Sequence, residues 1–258
     1  MPPSNDILEE HPLIYTGDEY ATSQDELTHQ AAPFLAWHRY FLHIYETTLQ
    51  EQCGYGGYLP YWNWALDWQD VAKSPILDNA NGFGGDGNAS LKVPFLNGYC
   101  LTEGPFSRLD MAYIGADYNP HCLSRGFPSR KKRARMGHDL GPEALEKLLN
   151  LPDYESFNLG LENGPHLALP KIIRGDFQYF TAPNDPLFFL HHAQLDRLWS
   201  MWQKSQPVDN QNQYVGKAAH NSIDLALDSD ILPMGGLAAD IQVSGILTTQ
   251  TELLCYRY

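Results

Sequence analysis

Positive charge is scarce in this chain of 258 residues, which has 17 Lys+Arg against 31 Asp+Glu and a formal net charge of −14. A nucleic-acid partner requires a basic face, so this composition argues against one. No apolar run is long enough to cross a bilayer, which argues against a membrane protein. The length and the hydrophobic content of 43% fit a globular chain that folds as a single domain over residues 1–258.

Cysteine is also scarce, and Cys53, Cys100, Cys122 and Cys255 form no Cys-x-x-Cys pair. That spacing argues against a thiolate metal site or a redox motif. A bridge between Cys100 and Cys122 would close a loop of about twenty residues and stabilise the fold by about 3 kcal/mol. Four reduced, buried thiols are the alternative, and the sequence leaves both open.

The N-terminus lacks the basic start and the apolar core of a signal peptide, which predicts a cytosolic protein. An incomplete N-terminus would remove this inference and allow secretion. The sequon Asn88-Ala-Ser90 is weak evidence for glycosylation. The one basic run, residues 130–135, is interpreted as a solvated loop, with a processing or docking site as the alternative.

Apolar residues at helical spacing, with proline near the start of several segments, predict a mainly α fold. Helices are expected over 34–52 and 141–150, around His166, and from Asn184 or Asp185 to Gln203. The remaining segments are predicted as long ordered loop over 53–135, loop over 152–158, and short strands over 241–247 and 253–258. The expected architecture is a helical-bundle core wrapped by long loops, with little β-structure.

Two segments combine histidine with aromatic residues and a nearby arginine. The first runs from His29 to Glu46 and contains Trp37-His38-Arg39, and the second runs from Asn184 to Trp199 and contains His191-His192. Neutral imidazole is a preferred ligand of copper and zinc, and bundle cores commonly hold metals between facing helices. Two such helices predict a site with more than one metal.

Charged side chains close to these histidines are candidates for anchoring the helices. Asp196 shares a helix face with His192, and Asp196 and Arg197 could form ion pairs. Arg39 is the matching candidate on the other helix. Because a buried arginine needs a carboxylate or an aromatic face, Glu46 and the C-terminal tyrosines Tyr256 and Tyr258 are its expected neighbours.

Both segments resemble the two copper signatures of the tyrosinase and catechol oxidase family, the type-3 copper proteins. The first signature is matched by His29, Phe34, Leu35, Trp37, His38, Arg39, Leu42 and Glu46. The second is matched by Asp185, Pro186, Phe188, Phe189, His192 and Asp196. Residues 51–64, 100–106 and 120–125 look like loops of fungal members, and Tyr256-Arg-Tyr258 looks like the tyrosine motif that closes the catalytic domain.

The resemblance implies a four-helix bundle that holds two copper ions, each bound by three histidines. It assigns His29 and His38 to copper A and His166 and His192 to copper B. His11 is a candidate for the first ligand of copper A, with a truncated N-terminus as the rival explanation. His191 is expected to be a structural neighbour, because the signature spacing selects His192. The implied reaction is oxidation of a small phenol, catechol or o-aminophenol to a quinone with dioxygen.

The sequence departs from the family pattern beside His166. The family has His-x-x-x-His on this helix, and here the second position is Pro170, which offers no donor atom to copper and would kink the helix. Water, substrate, or a loop histidine such as His121 or His138 could complete copper B. A degenerate copper B in a weakly active protein, or a dioxygen carrier on the same fold, are therefore alternatives to a copper oxidase.

Two further expectations follow from the same resemblance. The residue after the first copper B histidine is Leu167, which cannot help deprotonate a phenol as a polar residue there can, so oxidase chemistry is favoured over hydroxylation of monophenols. The sequence given stops at the tyrosine motif, so no C-terminal lid domain is expected.

Overall fold

The computed structural model describes residues 27–115 and 117–258. Its α-helices are α1 Pro33–Cys53, α2 Arg130–Met136, α3 Pro142–Leu149, α4 Tyr154–Leu161, α5 Leu167–Ile173 and α6 Leu187–Ser205. Its strands are β1 Tyr99–Cys100, β2 Asp110–Ile114, β3 Asp117–Cys122, β4 Ser124–Arg125, β5 Ile231–Leu232 and β6 Ile241–Gln242. They pair antiparallel in two-stranded sheets in the order β1–β4, β2–β3 and β5–β6. The prediction of a mainly α fold with little β-structure is confirmed.

Helices α1 and α6 pack side by side and form the centre of the fold. Pro33 occupies the first turn of α1, where a missing N–H costs nothing, and Gly54 ends the helix in the left-handed conformation at φ 64°. The N-terminal half of α1 is buried and the C-terminal half is more exposed. The predicted helix over 34–52 is therefore confirmed, and so is the helix that was expected to end near Gln203.

Helices α4 and α5 form one continuous segment, joined by a π-helical turn over Glu162–His166. The prediction of loop over 152–158 is wrong. Asp153 caps α4 by accepting a hydrogen bond from the Ser156 backbone N–H at 2.8 Å, and α4 then buries Tyr154 and Phe157. The helix expected around His166 is present, and its π-turn is the wide conformation that often marks a functional position.

The long segment between α1 and α3 is held together by short elements. It contains single 3-10 turns, the β1–β4 and β2–β3 pairs, and a disulfide between Cys100 and Cys122. Cys53 and Cys255 are free thiols. The basic run, interpreted as loop, is the short helix α2, which has no buried residue and is solvated as expected.

The C-terminal part is more irregular than the sequence predicted. Of the strands expected over 241–247 and 253–258, the structure forms only Ile241–Gln242, and a 3-10 turn follows it at Val243–Gly245. Apart from strand β5 and a 3-10 turn at Val208–Asn210, the rest of the C-terminal part is irregular, and it contacts α1 and α6 through Leu247 and Tyr256. Within 27–115 and 117–258, no helix is both long enough and apolar enough to span a bilayer.

Candidate metal centre

His38 is presented by the buried half of α1. Its Nδ1 donates a hydrogen bond to the Phe34 carbonyl at 2.7 Å, one helical turn earlier. This bond fixes the tautomer, because the proton sits on Nδ1 and leaves the lone pair of Nε2 available. The ring also packs edge-on against Phe34 and Trp37, with centroids 5.1 and 5.0 Å away.

His166 and His192 face His38 from the other two helical segments. The His192 ring on α6 stacks on the His38 ring, with centroids 4.2 Å apart and planes 12° apart. The His166 ring, at the end of the π-turn, lies 5.3 Å from that of His192 and 6.5 Å from that of His38. Nδ1 of both His166 and His192 is buried without a hydrogen-bond partner among the described residues, so this nitrogen of each ring is not used by the protein's own hydrogen bonding.

Burial keeps these imidazoles neutral. It lowers the pKa of His38 to about 3, and the neighbouring His29 adds a smaller repulsive effect. Burial, followed by repulsion from the surrounding histidines, also lowers the pKa values of His166 and His192 well below the usual range. Because only the neutral ring can donate a lone pair, the cluster is ready to bind a soft or borderline metal at neutral pH.

His29 lies in the segment before α1, with its ring 5.5 Å from His38 and 5.6 Å from His166. Gln30 has a left-handed backbone, φ 53°, and its N–H donates to the buried carboxylate of Glu162 at 2.8 and 2.9 Å. Helix α4 holds the next two residues, because Asn158 and Tyr154 donate side-chain hydrogen bonds to the Ala31 and Ala32 carbonyls. The α4–α5 segment thus sets the position of His29.

The donor chemistry of this cluster fits copper, but the ligand set is incomplete. In the described part of the chain, no three His, Cys, Asp or Glu side chains converge closely enough to hold a metal ion by themselves. His11, the remaining candidate, lies outside the described residues.

Pro170 is the fourth residue of α5 and lines the cavity beside the histidines. Proline has no N–H, so it cannot make the helical hydrogen bond to the His166 carbonyl. Pro165, inside the π-turn, lacks its N–H in the same way. The helical segment nevertheless continues past both prolines. At position 170, where the family pattern has a second histidine, the proline ring offers no donor atom to a metal.

His191 is bonded differently from the other buried histidines. The Trp64 indole Nε1 donates to His191 Nδ1 at 3.2 Å. Since an indole N–H can only donate, Nδ1 must accept and the proton of the neutral ring must sit on Nε2. Burial lowers the pKa of His191 to about 3, so this tautomer is the one present at neutral pH. The Nδ1 lone pair of His191 is therefore taken by Trp64, and its Nε2 carries the proton and is buried without a hydrogen-bond partner among the described residues, so His191 is not arranged as a metal ligand.

A buried charge network ties α1 and α6 to the C-terminus. The Arg39 guanidinium donates to Asp196 at 2.5 Å, lies 3.6 Å above the Trp199 ring and is fully buried. The Tyr256 and Tyr258 hydroxyls donate to the other carboxylate oxygen of Asp196, at 2.5 and 2.7 Å. The residue after His38 is thereby bound to the residue one helical turn after His192.

Two expected anchors have other partners. Glu46 does not pair with Arg39, because its carboxylate accepts the Leu59 backbone N–H at 2.9 Å. It therefore holds the loop after α1 instead of the charge network. The Arg197 guanidinium lies over the Tyr61 ring, 4.9 Å from its centroid.

Asp185 and Asp176 fix the loop that leads into α6. Asp185 binds the buried Arg125 guanidinium through both carboxylate oxygens, at 2.7 and 2.9 Å, and also accepts the Leu187 N–H at the start of α6. Asp176 accepts hydrogen bonds from Ser124, His121 and Asn184. These bonds connect the disulfide-linked loop to the helix that carries His192.

The loop histidines His121 and His138 have partners outside the buried histidine cluster. His121 is bonded through both ring nitrogens, to Asp176 and to the Asn119 carbonyl. His138 is exposed and packs against Trp68, with ring centroids 5.6 Å apart. Neither loop histidine joins the buried cluster.

A cavity of about 580 Å³ opens beside the cluster. His29, His38 and His166 contribute to its wall, together with Glu162, Leu167 and Pro170. Aromatic and apolar side chains form most of the remainder, which includes Trp37, Phe41, Phe177, Tyr179, Phe180, Phe188, Met234 and Leu237. A flat aromatic ring would be well accommodated between such walls.

Sequence reasoning missed three residues that shape this site. Glu162 precedes His166 by four residues, so helical spacing could have placed its carboxylate beside the imidazole. Arg125 and Trp64 carry no local signal, because their partners Asp185 and His191 are 60 and 127 residues away in sequence.

Comparison with known proteins places this arrangement in a family. Residues 5–205 match the family model for tyrosinase, described as the common central domain of tyrosinase. The chain is 43% identical over 249 residues to tyrosinase-like protein phomQ1' of Diaporthe leptostromiformis, covering 90% of this chain and 66% of that protein. It is 41% identical over 231 residues to tyrosinase ustQ of Aspergillus flavus, covering 89% and 64%. The chain therefore spans just under two thirds of the length of these relatives.

A shorter relative and a solved structure support the same family assignment. Oxidase hkm6 of Aspergillus hancockii is 31% identical over 274 residues, with 89% of this chain and 94% of that protein covered. The fold matches a mutant polyphenol oxidase from Thermothelomyces thermophila at a TM-score of 0.78 and 28% identity, covering 93% of this chain and 76% of the other. The chain belongs to the tyrosinase family.

Proposed function

We propose that this chain is a copper-dependent oxidoreductase that oxidises catechols, o-aminophenols or phenols to quinones with dioxygen. The observation that carries the proposal is the buried cluster of neutral imidazoles at the wall of an aromatic cavity. Buried, neutral imidazoles are suitable ligands for copper, and a cavity with aromatic walls is suitable for a flat aromatic ring. Membership of the tyrosinase family and the likeness to a polyphenol oxidase support the same chemistry.

In this proposal His29 and His38 would hold one copper ion, and His166 and His192 would hold the other. When bound, a copper pair would pass electrons from the aromatic ring to dioxygen, which oxidises the ring and reduces the oxygen. The protein's own groups do the remaining work. The Phe34 carbonyl orients His38 through Nδ1, and the aromatic wall aligns the substrate ring and excludes water.

Glu162 is the one buried carboxylate among the cavity residues, and it lies within hydrogen-bond distance of the segment that carries His29. Its oxygens could accept the proton that a phenol or catechol hydroxyl must lose before oxidation. Replacing Glu162 by glutamine would keep the hydrogen bond from the Gln30 N–H and remove the base. The expected result is slower oxidation with little loss of stability.

Leu167 favours oxidase chemistry over hydroxylation of monophenols. It lines the cavity directly after His166 and offers no hydrogen-bonding group to a phenol hydroxyl. Catechol turnover should therefore exceed monophenol turnover by a wide margin. Rapid hydroxylation of a monophenol without a lag would contradict this part of the proposal.

The deciding experiment is copper per chain by elemental analysis after reconstitution and removal of loose metal, with catechol oxidation measured on the same sample. We expect two coppers and turnover in the wild type, and loss of both copper and turnover in His192→Ala. His138→Ala is the matched control, since it removes an exposed histidine outside the cluster. Catechol turnover that survives removal of copper would refute the proposal.

A second candidate function follows from Pro170. This cavity residue has no donor atom, so in this candidate copper B has only two histidine ligands or does not bind, and the protein is a weakly active or non-catalytic relative. One copper per chain, or none, with no catechol oxidation would favour this candidate.

A further inference from the structure

The basic run at 130–135 has no part in the function proposed above. Its first four residues, Arg130-Lys-Lys-Arg133, form an Arg-x-Lys-Arg pattern. Endoproteases with acidic subsites recognise this pattern, because separate carboxylates of the protease bind the two arginines and the lysine. In such proteases the bond that is cleaved follows the last arginine, which here is the bond between Arg133 and Ala134.

Helix α2 presents this run to solvent. Arg130, Lys131 and Lys132 are exposed, and Arg133 is half-buried. The helix has seven residues, buries none of them and lacks a side-chain hydrogen bond at its N-cap. A helix this short is marginal by itself. A protease binds its substrate as an extended chain, and α2 can open locally to that form at little cost.

The charge of α2 also works against the helix. Its first turn begins with Arg130, Lys131 and Lys132, where the positive end of the helix dipole repels cations. Arg135 lies four residues after Lys131 and three after Lys132, so like charges are neighbours along the helix surface. The contacts that hold α2 in place are therefore tertiary, and they include its packing against α5.

Asp70 is the main polar restraint on the residue before the scissile bond. Its Oδ1 accepts hydrogen bonds from Nε and Nη2 of Arg133, at 3.2 and 3.0 Å. Nη1 of Arg133 donates to the Pro128 carbonyl at 2.7 Å. The guanidinium must leave these partners before a protease can bind it. Asp70 therefore sets how often the site is available.

The chain on both sides of α2 is held by the core. Before the helix, the Gly126 N–H donates to the Ile173 carbonyl at 2.9 Å. After the helix, Leu140 is fully buried. A cut within α2 therefore frees the ends of this helix and leaves the flanking segments in place.

The two pieces produced by such a cut remain joined through buried contacts. Helix α1 belongs to the N-terminal piece and α6 to the C-terminal piece, and these helices pack side by side. The buried ion pairs of Arg39 with Asp196 and of Arg125 with Asp185 also cross between the pieces. The histidine cluster, to which both pieces contribute, therefore stays assembled.

The disulfide between Cys100 and Cys122 agrees with exposure to a processing protease. Disulfides form and persist in oxidising compartments, which are also where proteases specific for Arg-x-Lys-Arg act. Both cysteines lie in the N-terminal piece, so this bridge does not tie the two pieces together.

We propose that α2 is a processing site at which an endoprotease specific for Arg-x-Lys-Arg hydrolyses the Arg133–Ala134 bond, leaving a two-chain protein with an intact histidine cluster. Water supplies the hydroxyl that joins the Arg133 carbonyl carbon and the proton that joins the Ala134 nitrogen. The new carboxylate of Arg133 lies among the cations of α2 and offsets part of their repulsion. This processing does not depend on the proposed function.

The test digests the full chain with kexin, a protease that cleaves after paired basic residues, and identifies the products by mass. A synthetic peptide of residues 127–138 sets the reference amount of protease. We expect a single cut after Arg133, and two fragments that co-elute in size-exclusion chromatography with the near-ultraviolet circular dichroism of the uncut protein. Resistance at about 100 times the reference amount, a cut elsewhere, or separation of the fragments would overturn the proposal.

Neighbouring lysines of the run supply a matched pair of variants. Lys132→Gln removes the lysine of the pattern and should slow cleavage at least about tenfold, because the protease carboxylate loses its partner. Lys131→Gln removes the same charge at the unspecified position and should leave the rate within about twofold. Equal effects of the two variants would overturn recognition of the pattern.

Asp70→Ala tests the restraint on Arg133. When opening is fast, the cleavage rate follows the population of the open form, so this variant should be cut about 3- to 10-fold faster. Trypsin cleavage after Lys217, an exposed lysine outside the run, should keep its rate. An unchanged kexin rate, or an equal acceleration at Lys217, would overturn the role of Asp70.

Discussion

Replacing Asp196 by alanine tests the network that joins the two helices of the site. The Asp196 carboxylate accepts hydrogen bonds from Arg39, Tyr256 and Tyr258, and it is almost fully buried. The alanine variant leaves the Arg39 guanidinium in the core with the Trp199 ring and neutral acceptors as its remaining neighbours. An arginine in that setting keeps its charge and bears the full cost of desolvation.

Removing one partner of a buried ion pair typically costs about 3–5 kcal/mol. A domain of ordinary stability has about 5–15 kcal/mol in total, so Asp196→Ala should remove a large part of it. At about 2–4 °C per kcal/mol for a domain of roughly this size, the melting temperature should fall by about 6–20 °C. Because Arg39 follows His38 directly, copper retention should decline as well.

The assay is urea unfolding followed by tryptophan fluorescence, with Arg130→Ala as the control. The Arg130 side chain is 78% exposed and makes a distant ion pair with Asp70, at 3.5 Å. A pair with one exposed partner contributes about 0–1 kcal/mol, so the control should lose little stability. If Asp196→Ala costs no more than Arg130→Ala, the network does not anchor the helices and the reasoning fails.

Three further changes test other parts of the structure. Pro170→His should raise copper affinity in a chelator competition, because it adds an imidazole at the cavity wall, and an unchanged affinity would count against Pro170 as the position of a missing ligand. Replacing Cys100 and Cys122 by serine should lower the free energy of unfolding by about 3 kcal/mol, and equal stability with and without reductant would contradict this. The Asp176 carboxylate raises the pKa of His121 above its usual value against the opposing effect of burial, so the ion pair contributes stability that is complete below pH 6.5 and is lost as the pH rises through the raised pKa. His121→Gln should therefore cost more at pH 6 than at pH 9, and a loss independent of pH would count against the pair.

The helices that carry His38 and His192 could be predicted because their signals are local. Apolar residues recur at helical spacing over α1 and α6, and proline lies at the start of each, as the first residue of α1 and the N-cap of α6. The predicted bounds agree with the structure to within about two residues at each end.

Helices α2 and α4 were missed for different reasons. Helix α4 has a local sequence signal, because Asp153 is a suitable N-cap and the apolar residues Tyr154, Phe157 and Leu161 recur at helical spacing. The sequence was therefore sufficient to predict this helix. Helix α2 buries no residue and has no apolar stripe, so only the helix propensity of Arg, Lys, Ala and Met indicates it. Packing against α5 stabilises it, and a single sequence does not reveal such contacts.

The sequence by itself determined the chemistry that this protein offers: two histidine-bearing helices, the aromatic residues around them, and a proline where a ligand was expected. Those features depend on residue type and local spacing, which are written along the chain. Only the tertiary structure decided the partners. Arg39 pairs with Asp196 and not Glu46, and Trp64 fixes the tautomer of His191. Each of these contacts joins or positions residues through the packing of the whole fold, and long-range packing is set by shape and burial that no local pattern encodes.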